Sequence, residues 1–234
     1  MLTPVRLRRS AFLLLCLALT GCGSDDKPVA PGPPSYSMSV APPSAVTTLG
    51  TAVMFTAYLA STNFAGPVTL SVVGAPASWQ VAISPSATVT LSNGGTGSAT
   101  VTITIPSNGE ARPAGQTVTI HATASPGDKD VAPAVTVANE YIIPIANGTG
   151  IGAHWGALAG TTINLASGVI LTFRNDDSIG HRIHATGTIP GLAHQSVTMG
   201  PGGVYSDTLG VGVDSDVYCH DHGTGTGLLT INVQ

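Results

Sequence analysis

Charged side chains are scarce in this 234-residue chain, at 9% of the total, with eight basic residues against twelve acidic ones. Lysine and glutamate are few, which disfavours helices with solvated faces. Cysteine is scarcer still, at three. Several signatures of enzyme chemistry are missing altogether: there is no Ser-His-Asp spacing, no glycine-rich phosphate loop after a strand and no HExxH helix. Asp176, Asp177, Asp214 and Asp216 read as turn carboxylates, because paired catalytic acids need a cleft to raise a pKa. The chain is therefore not expected to be an enzyme.

What is present instead is 43% apolar residue, enough for a buried core and too much for a disordered chain. Twenty-nine glycines and seventeen prolines, with abundant Thr, Val and Ser, suit many short strands joined by turns. The fold class expected from these features is all-β.

The opening MLTPVRLRRSAFLLLCLALTGCGS has a basic start at Arg6, Arg8 and Arg9, an apolar run from Ala11 to Leu19 and small residues before Cys22. This is the pattern of an export signal, too short for a comfortable transmembrane span. Leu19-Thr20-Gly21-Cys22 resembles the lipobox of bacterial lipoproteins. The resemblance implies removal of residues 1–21, acylation of Cys22 and anchorage to a lipid bilayer of the bacterial cell envelope. Gly23 and Ser24, in place of an aspartate after the lipidated cysteine, favour the outer membrane, facing the periplasm. Cleavage would leave five basic residues against twelve acidic ones, a net charge of −7 that makes nucleic acid an unsuitable partner. Cys16 leaves with the signal and Cys22 is blocked by lipid. Cys219 is then the one free thiol, and no internal disulfide can form.

Residues 22–35 are polar and proline-rich and read as an extended tether. From residue 36 to about 140, alternating segments (SMSV, TAVMFTAYLA, PVTLSVVG, WQVAIS, ATVTLS, SATVTITIP, QTVTIHATA) are separated by turn residues, the mark of a sandwich. The stretch resembles bacterial immunoglobulin-like modules, with a GPVTLSV strand, a tryptophan, a SPSATVTL strand and a closing TVTITIP…GQTVTIHATA pair. Such a module implies a spacer or docking surface. Trp79 is expected in its core, and His121, alone on a strand, is expected to be a surface or packed histidine.

Residues 141–234 form a second run of strands: YIIPI, TTINLA, GVILTFRN, HRIHAT, VYSDTL, DVYCH and LLTINV. Six of the seven histidines fall in or beside it, at 154, 181, 184, 194, 220 and 222. Cys219 and His222 make a C-x-x-H pair at a strand end, and a thiolate with two imidazoles selects copper or zinc over hard cations. Upstream, GVILTFRNDDSIGHRI places Phe173 and Asn175 ahead of His181. Together these residues resemble the cupredoxins, the plastocyanin and amicyanin type of blue copper protein. In that family a G-x-x-[VI]-x-F-x-N strand leads to a first histidine, and Y-C-x-x-H lies near the C-terminus. Here Gly168, Phe173 and Asn175 lead to His181, and Tyr218-Cys219-x-x-His222 precedes the final strand.

The resemblance implies a Greek-key sandwich or barrel holding one mononuclear copper through His181, Cys219 and His222. Zinc is the alternative ion, completed by His220 or Asp221. The family's axial methionine has no counterpart: the two family spacings fall on Gly225 and Gly227. The backbone carbonyl of Gly180 is the expected weak fourth contact, as in azurin-like members. Strand parity offers an independent expectation, since residues two apart share a face. His181 and Ile183 would point inward and Arg182 and His184 outward, with Val217 and Cys219 inward and Tyr218 and His220 outward. His184 and His220, with His194 and Met199, are expected to offer secondary metal contacts around the mouth.

The function expected from the whole sequence is one-electron transfer by an envelope-anchored protein with an unidentified redox partner. Two rivals are a periplasmic copper buffer or delivery protein exchanging with a copper donor or acceptor, and a surface interaction module that binds through the immunoglobulin-like domain.

Overall fold

The structure is a computed structural model describing residues 30–146, 155–192, 194–223 and 228–234. The chain divides into two compact units, Met1–Gly32 and Pro33–Gln234. In the first, residues 30–32 are exposed and carry no regular structure. The expected export signal, Cys22 and most of the expected tether lie outside the described residues.

The second unit is all-β. Strand β3 (Ala52–Thr62) shows why: its alternation buries Val53, Phe55, Ala57 and Leu59 on one face and exposes Met54 and Tyr58 on the other. It lies between β1 (Ser35–Ala41) and β7 (Thr96–Thr104), and β7 in turn pairs with β5 (Gln80–Ser84), all antiparallel. A second sheet has the order β10 (Lys129–Val131), β9 (Thr119–Thr123), β4 (Gly66–Val73), β6 (Thr88–Leu91). The two sheets face each other over a shared core. Across it the buried Tyr36 of β1 donates its hydroxyl hydrogen to the Ala122 carbonyl of β9 at 2.8 Å. Trp79 is buried in the same core, and its indole N–H donates to the Glu110 carbonyl at 2.9 Å.

One long strand, β11 (Ala134–Ile145), serves two sheet neighbourhoods. Its first half pairs parallel with β2 (Ser44–Leu49) and antiparallel with β8 (Arg112–Thr117). Its second half pairs parallel with β13 (Ile170–Asn175), in register from Glu140 opposite Ile170 to Ile145 opposite Asn175. The expected domain boundary at 140/141 lies inside this strand. On its outer side β13 pairs with β15 (Val204–Thr208). The opposing sheet has the order β12 (Thr162–Leu165), β17 (Leu229–Val233), β16 (Gly212–Cys219), β14 (Ile183–Ala185).

Ile143, Ile145, Leu171, Phe173, Val217, Leu229 and Ile231 fill the space between these sheets, none more than 1% exposed. Burying one such side chain contributes about 1.5–3 kcal/mol. Trp155 ties the layers together. Its indole N–H donates to the Val217 carbonyl at 3.1 Å on one sheet, and its ring lies 5.8 Å from that of Phe173 on the other. Among the described residues no helix is long and apolar enough to cross a membrane.

Candidate metal centre

Strand β16 ends at Cys219, and the chain then turns sharply. The amides of His222 and Gly223 both donate back to the Cys219 carbonyl, at 3.3 and 2.9 Å, and Gly223 takes a φ of +81° that L side chains rarely adopt. The turn folds His222 over the strand end, bringing its Nδ1 to 3.3 Å from the sulfur of Cys219. Cys219 stands opposite Ile183 of β14, and His181 lies two residues before Ile183 on the same face. His181 is itself fixed by an antiparallel bridge to Met199, whose two backbone hydrogen bonds measure 2.9 and 2.7 Å.

The result is a compact triad. His181 and Cys219 are buried, at 0% and 1% exposure, while His222 is partly exposed. The His181 and His222 rings stand 5.0 Å apart at 71°, and the three donor atoms all lie within 4.8 Å of one another. A thiolate and an imidazole sharing one ion at about 2.3 and 2.0 Å need a donor separation of about 3.5 Å. The 3.3 Å observed between Cys219 and His222 fits that requirement, and so does the soft N₂S donor set.

A second layer of side chains orients these donors. The Asp177 carboxylate accepts from Nε2–H of His181 at 3.1 Å, which leaves Nδ1 as the lone-pair nitrogen of that ring. Asn175 holds the loop between them: its side-chain amide donates to the carbonyls of Ile179 at 2.8 Å and Met199 at 3.0 Å, and its side-chain oxygen accepts from the Asp177 amide at 3.0 Å. The backbone N–H of Arg182 points at the Cys219 sulfur at 3.4 Å. Arg182 and Thr198 both grip Asp221, each at 2.7 Å, latching the turn that carries His222 to the segment beside His181. The Thr198 hydroxyl and the Arg182 guanidinium hold the Asp221 carboxyl below the usual carboxylate range.

A separate group lies on the other side of the same strand ends. His184, His194 and His220 offer ring nitrogens that also lie within 4.8 Å of one another, with His184 partly exposed and the other two exposed. Burial, then the neighbouring His194, His220 and Arg182 charges, push the His184 imidazole below its ordinary value.

The placement follows strand parity. Ile183, Val217 and Cys219 are buried, whereas Arg182, His184 and Tyr218 are partly exposed and His220 is exposed. Gly180 precedes His181 where space is tight, since a Cβ there would lie 2.7 Å from the Thr198 methyl. Met199 does not join the outer histidines. It is 5% exposed and paired with His181. His154, Gly225 and Gly227 lie outside the described residues.

Sequence reasoning passes over Asp177, which it treats as a turn carboxylate with Asp176. Asp176 does behave so, bonding Arg174 at 2.7 Å, but Asp177 is 4% exposed and braces His181. The available signal was its spacing, four residues before the histidine. The latch of Arg182, Thr198 and Asp221 is equally invisible, because it joins three segments far apart in the chain.

Neither a protein-family model nor a curated protein matches this chain. Solved structures similar to parts of it include a purple cupredoxin from Nitrosopumilus maritimus, 22% identical, covering 40% of this chain and 98% of that one at a TM-score of 0.32. A mutant amicyanin in its oxidised form is 17% identical and covers 42% of this chain and 84% of its own, at a TM-score of 0.30. The periplasmic chaperone SfaE is 14% identical and covers 84% of this chain and 100% of its own, at 0.32. The structures this chain is similar to thus include cupredoxins alongside immunoglobulin-like sandwiches.

Proposed function

We propose that this chain is a lipid-anchored copper protein of the bacterial envelope that passes single electrons through one mononuclear site formed by His181, Cys219 and His222. The observation that carries the reading is a buried thiol brought to 3.3 Å from one imidazole, within a triad whose donors all fall inside 4.8 Å. A thiolate with two imidazoles takes copper or zinc in preference to hard cations. A closed zinc site needs a fourth donor. The two donors expected to complete such a site are engaged elsewhere, His220 with His184 and His194, Asp221 with Arg182 and Thr198.

Copper held by these residues supplies a one-electron couple. The chain's own part is to keep the donors still. Asp177 fixes the tautomer and direction of His181, Asn175 fixes the loop beneath it, and the Arg182 amide sets a partial positive charge against the sulfur. Ile183, 0% exposed and opposite Cys219 in the ladder, joins the triad to a packed core that includes Phe173. A stiff β framework of this kind keeps the rearrangement between oxidation states small. His222, the partly exposed ligand, is the natural exit for the electron toward a redox partner.

The anchor belongs to the same proposal. Acylated Cys22 would hold the chain on the outer membrane, residues 22–35 would act as tether, and the immunoglobulin-like half would set the metal domain at a distance from the bilayer. Protein-film voltammetry of the copper-loaded chain should give a reversible one-electron couple with fast exchange at the electrode. Tight Cu(I) binding of several equivalents without a reversible couple would instead mark a copper buffer.

A further inference from the structure

The two histidine groups around Cys219 point in opposite directions from one pair of strands. Along β16 and the turn after it, Cys219 faces inward and His220 outward; along β14, Ile183 faces inward and His184 outward. The outer histidines therefore share no donor with the buried triad, and they converge on a point of their own. The Nδ1 of His220 lies 3.2 Å from Nδ1 of His184 and 2.7 Å from Nε2 of His194. Two imidazoles binding one ion at about 2.0–2.1 Å stand about 3.3 Å apart, so these separations need only small rotations to match.

The segment that carries each ring is held before any ion arrives. His184 sits in the ladder opposite Tyr218, and its ring stacks on the tyrosine at 4.7 Å and 27°. The neighbour of His194, Gln195, exchanges two hydrogen bonds with the backbone of Ile183, at 3.0 and 2.9 Å. His220 donates its amide to the Arg182 carbonyl at 2.7 Å. Three imidazoles positioned by three separate backbone anchors lose little further freedom on binding. The nearest fixed cation, Arg182, is neutralised by Asp221 at 2.7 Å.

We propose that His184, His194 and His220 form a second, solvent-facing site for a borderline divalent transition ion, copper(II) or zinc(II). Three neutral imidazoles without thiolate or carboxylate suit that class of ion and exclude calcium and magnesium. Among the described residues the group has three protein donors, which leaves a coordination position for water or an exogenous ligand.

Titration of the full-length chain with Zn(II) against a chromophoric chelator tests the site. The parent should bind two equivalents. His184→Gln/His194→Gln should bind one, as should His194→Gln alone, with the Cys219 thiol still protected by metal from alkylation. Cys219→Ser should also bind one, so loss of the buried centre and loss of the outer site give separate readings. With Cu(II), Cys219→Ser/His181→Gln/His222→Gln should show imidazole nitrogen splitting in its electron paramagnetic resonance spectrum, and adding His184→Gln, His194→Gln and His220→Gln should abolish it. A count in the double variant equal to that of the parent, or a count of none in Cys219→Ser, overturns the proposal.

Discussion

His121 in β9 and His184 in β14 are both partly exposed histidines on short strands, yet their surroundings push them in opposite directions. His121 is raised above its ordinary imidazole value, first by its hydrogen bond from Nδ1 to Asp130 at 2.6 Å and then by the charges of Asp130 and Asp128. His184 is lowered by burial and by two further imidazoles and an arginine. One half of the molecule surrounds its histidine with carboxylates and hydroxyls, which settle its charge locally. The other half brings imidazoles together, an arrangement that repels protons and attracts a soft or borderline cation instead. Similar strands support both, so the difference lies in the side chains that neighbouring segments bring against them.

The two halves should differ most at the sulfur. Cys219→Ser should abolish intense visible absorption on adding Cu(II), while His121→Gln leaves it unchanged; equal spectra in the two variants would remove the distinction between the halves. Next in size is the hydrogen-bond hub. Asn175→Ala removes the buried side chain that bonds the Ile179 carbonyl and the Asp177 amide, along with a second hydrogen bond to the Met199 carbonyl, and should cost about 2–3 kcal/mol in urea unfolding, against about 1–2 kcal/mol for Trp79→Phe, which loses the indole bond to Glu110.

Asp177→Asn keeps the shape but removes the carboxylate from His181, and competition titration should show about 10–100-fold weaker metal binding at the triad. Asp130→Asn, beside His121, should leave it unaltered. The smallest effect is in the pH dependence of the metal-free fold. With its pKa raised, His121 contributes stability that is present below the unfolded value of 6.5 and lost as pH rises through its folded value. With its pKa lowered, His184 contributes in the opposite sense, present above 6.5 and lost as pH falls through its folded value. His121→Gln and His184→Gln should flatten the stability curve on opposite sides of 6.5.

Much of this was legible in the chain because alternation speaks directly about faces. TAVMFTAYLA and GVILTFRN announce β3 and β13, and the residues spaced two apart along HRIHAT and DVYCH place His181 and Cys219 inward before any fold is known. What alternation cannot express is pairing between distant segments. β2 is only partly buried and β10 is a short charged edge, so neither carries a strong apolar signal of its own.

The continuity of β11 is hidden for a similar reason. Asn139 and Glu140 interrupt its apolar run, and they do so because their side chains bond Gly168 and Thr172 of the neighbouring segment. Composition hides the role of Asp177, since an Asp-Asp pair after a strand is ordinarily a turn. Its burial depends on the loop folding back beneath His181, which Asn175 directs from a position the sequence does mark.

Whether one sulfur and two imidazoles hold copper is read from the optical and electron paramagnetic resonance spectra of the chain with one equivalent of Cu(II). Strong thiolate-to-copper absorption, with Cys219 closed to thiol reagents, is the predicted result. A colourless protein that binds neither copper nor zinc and yields one reactive thiol per chain would contradict it.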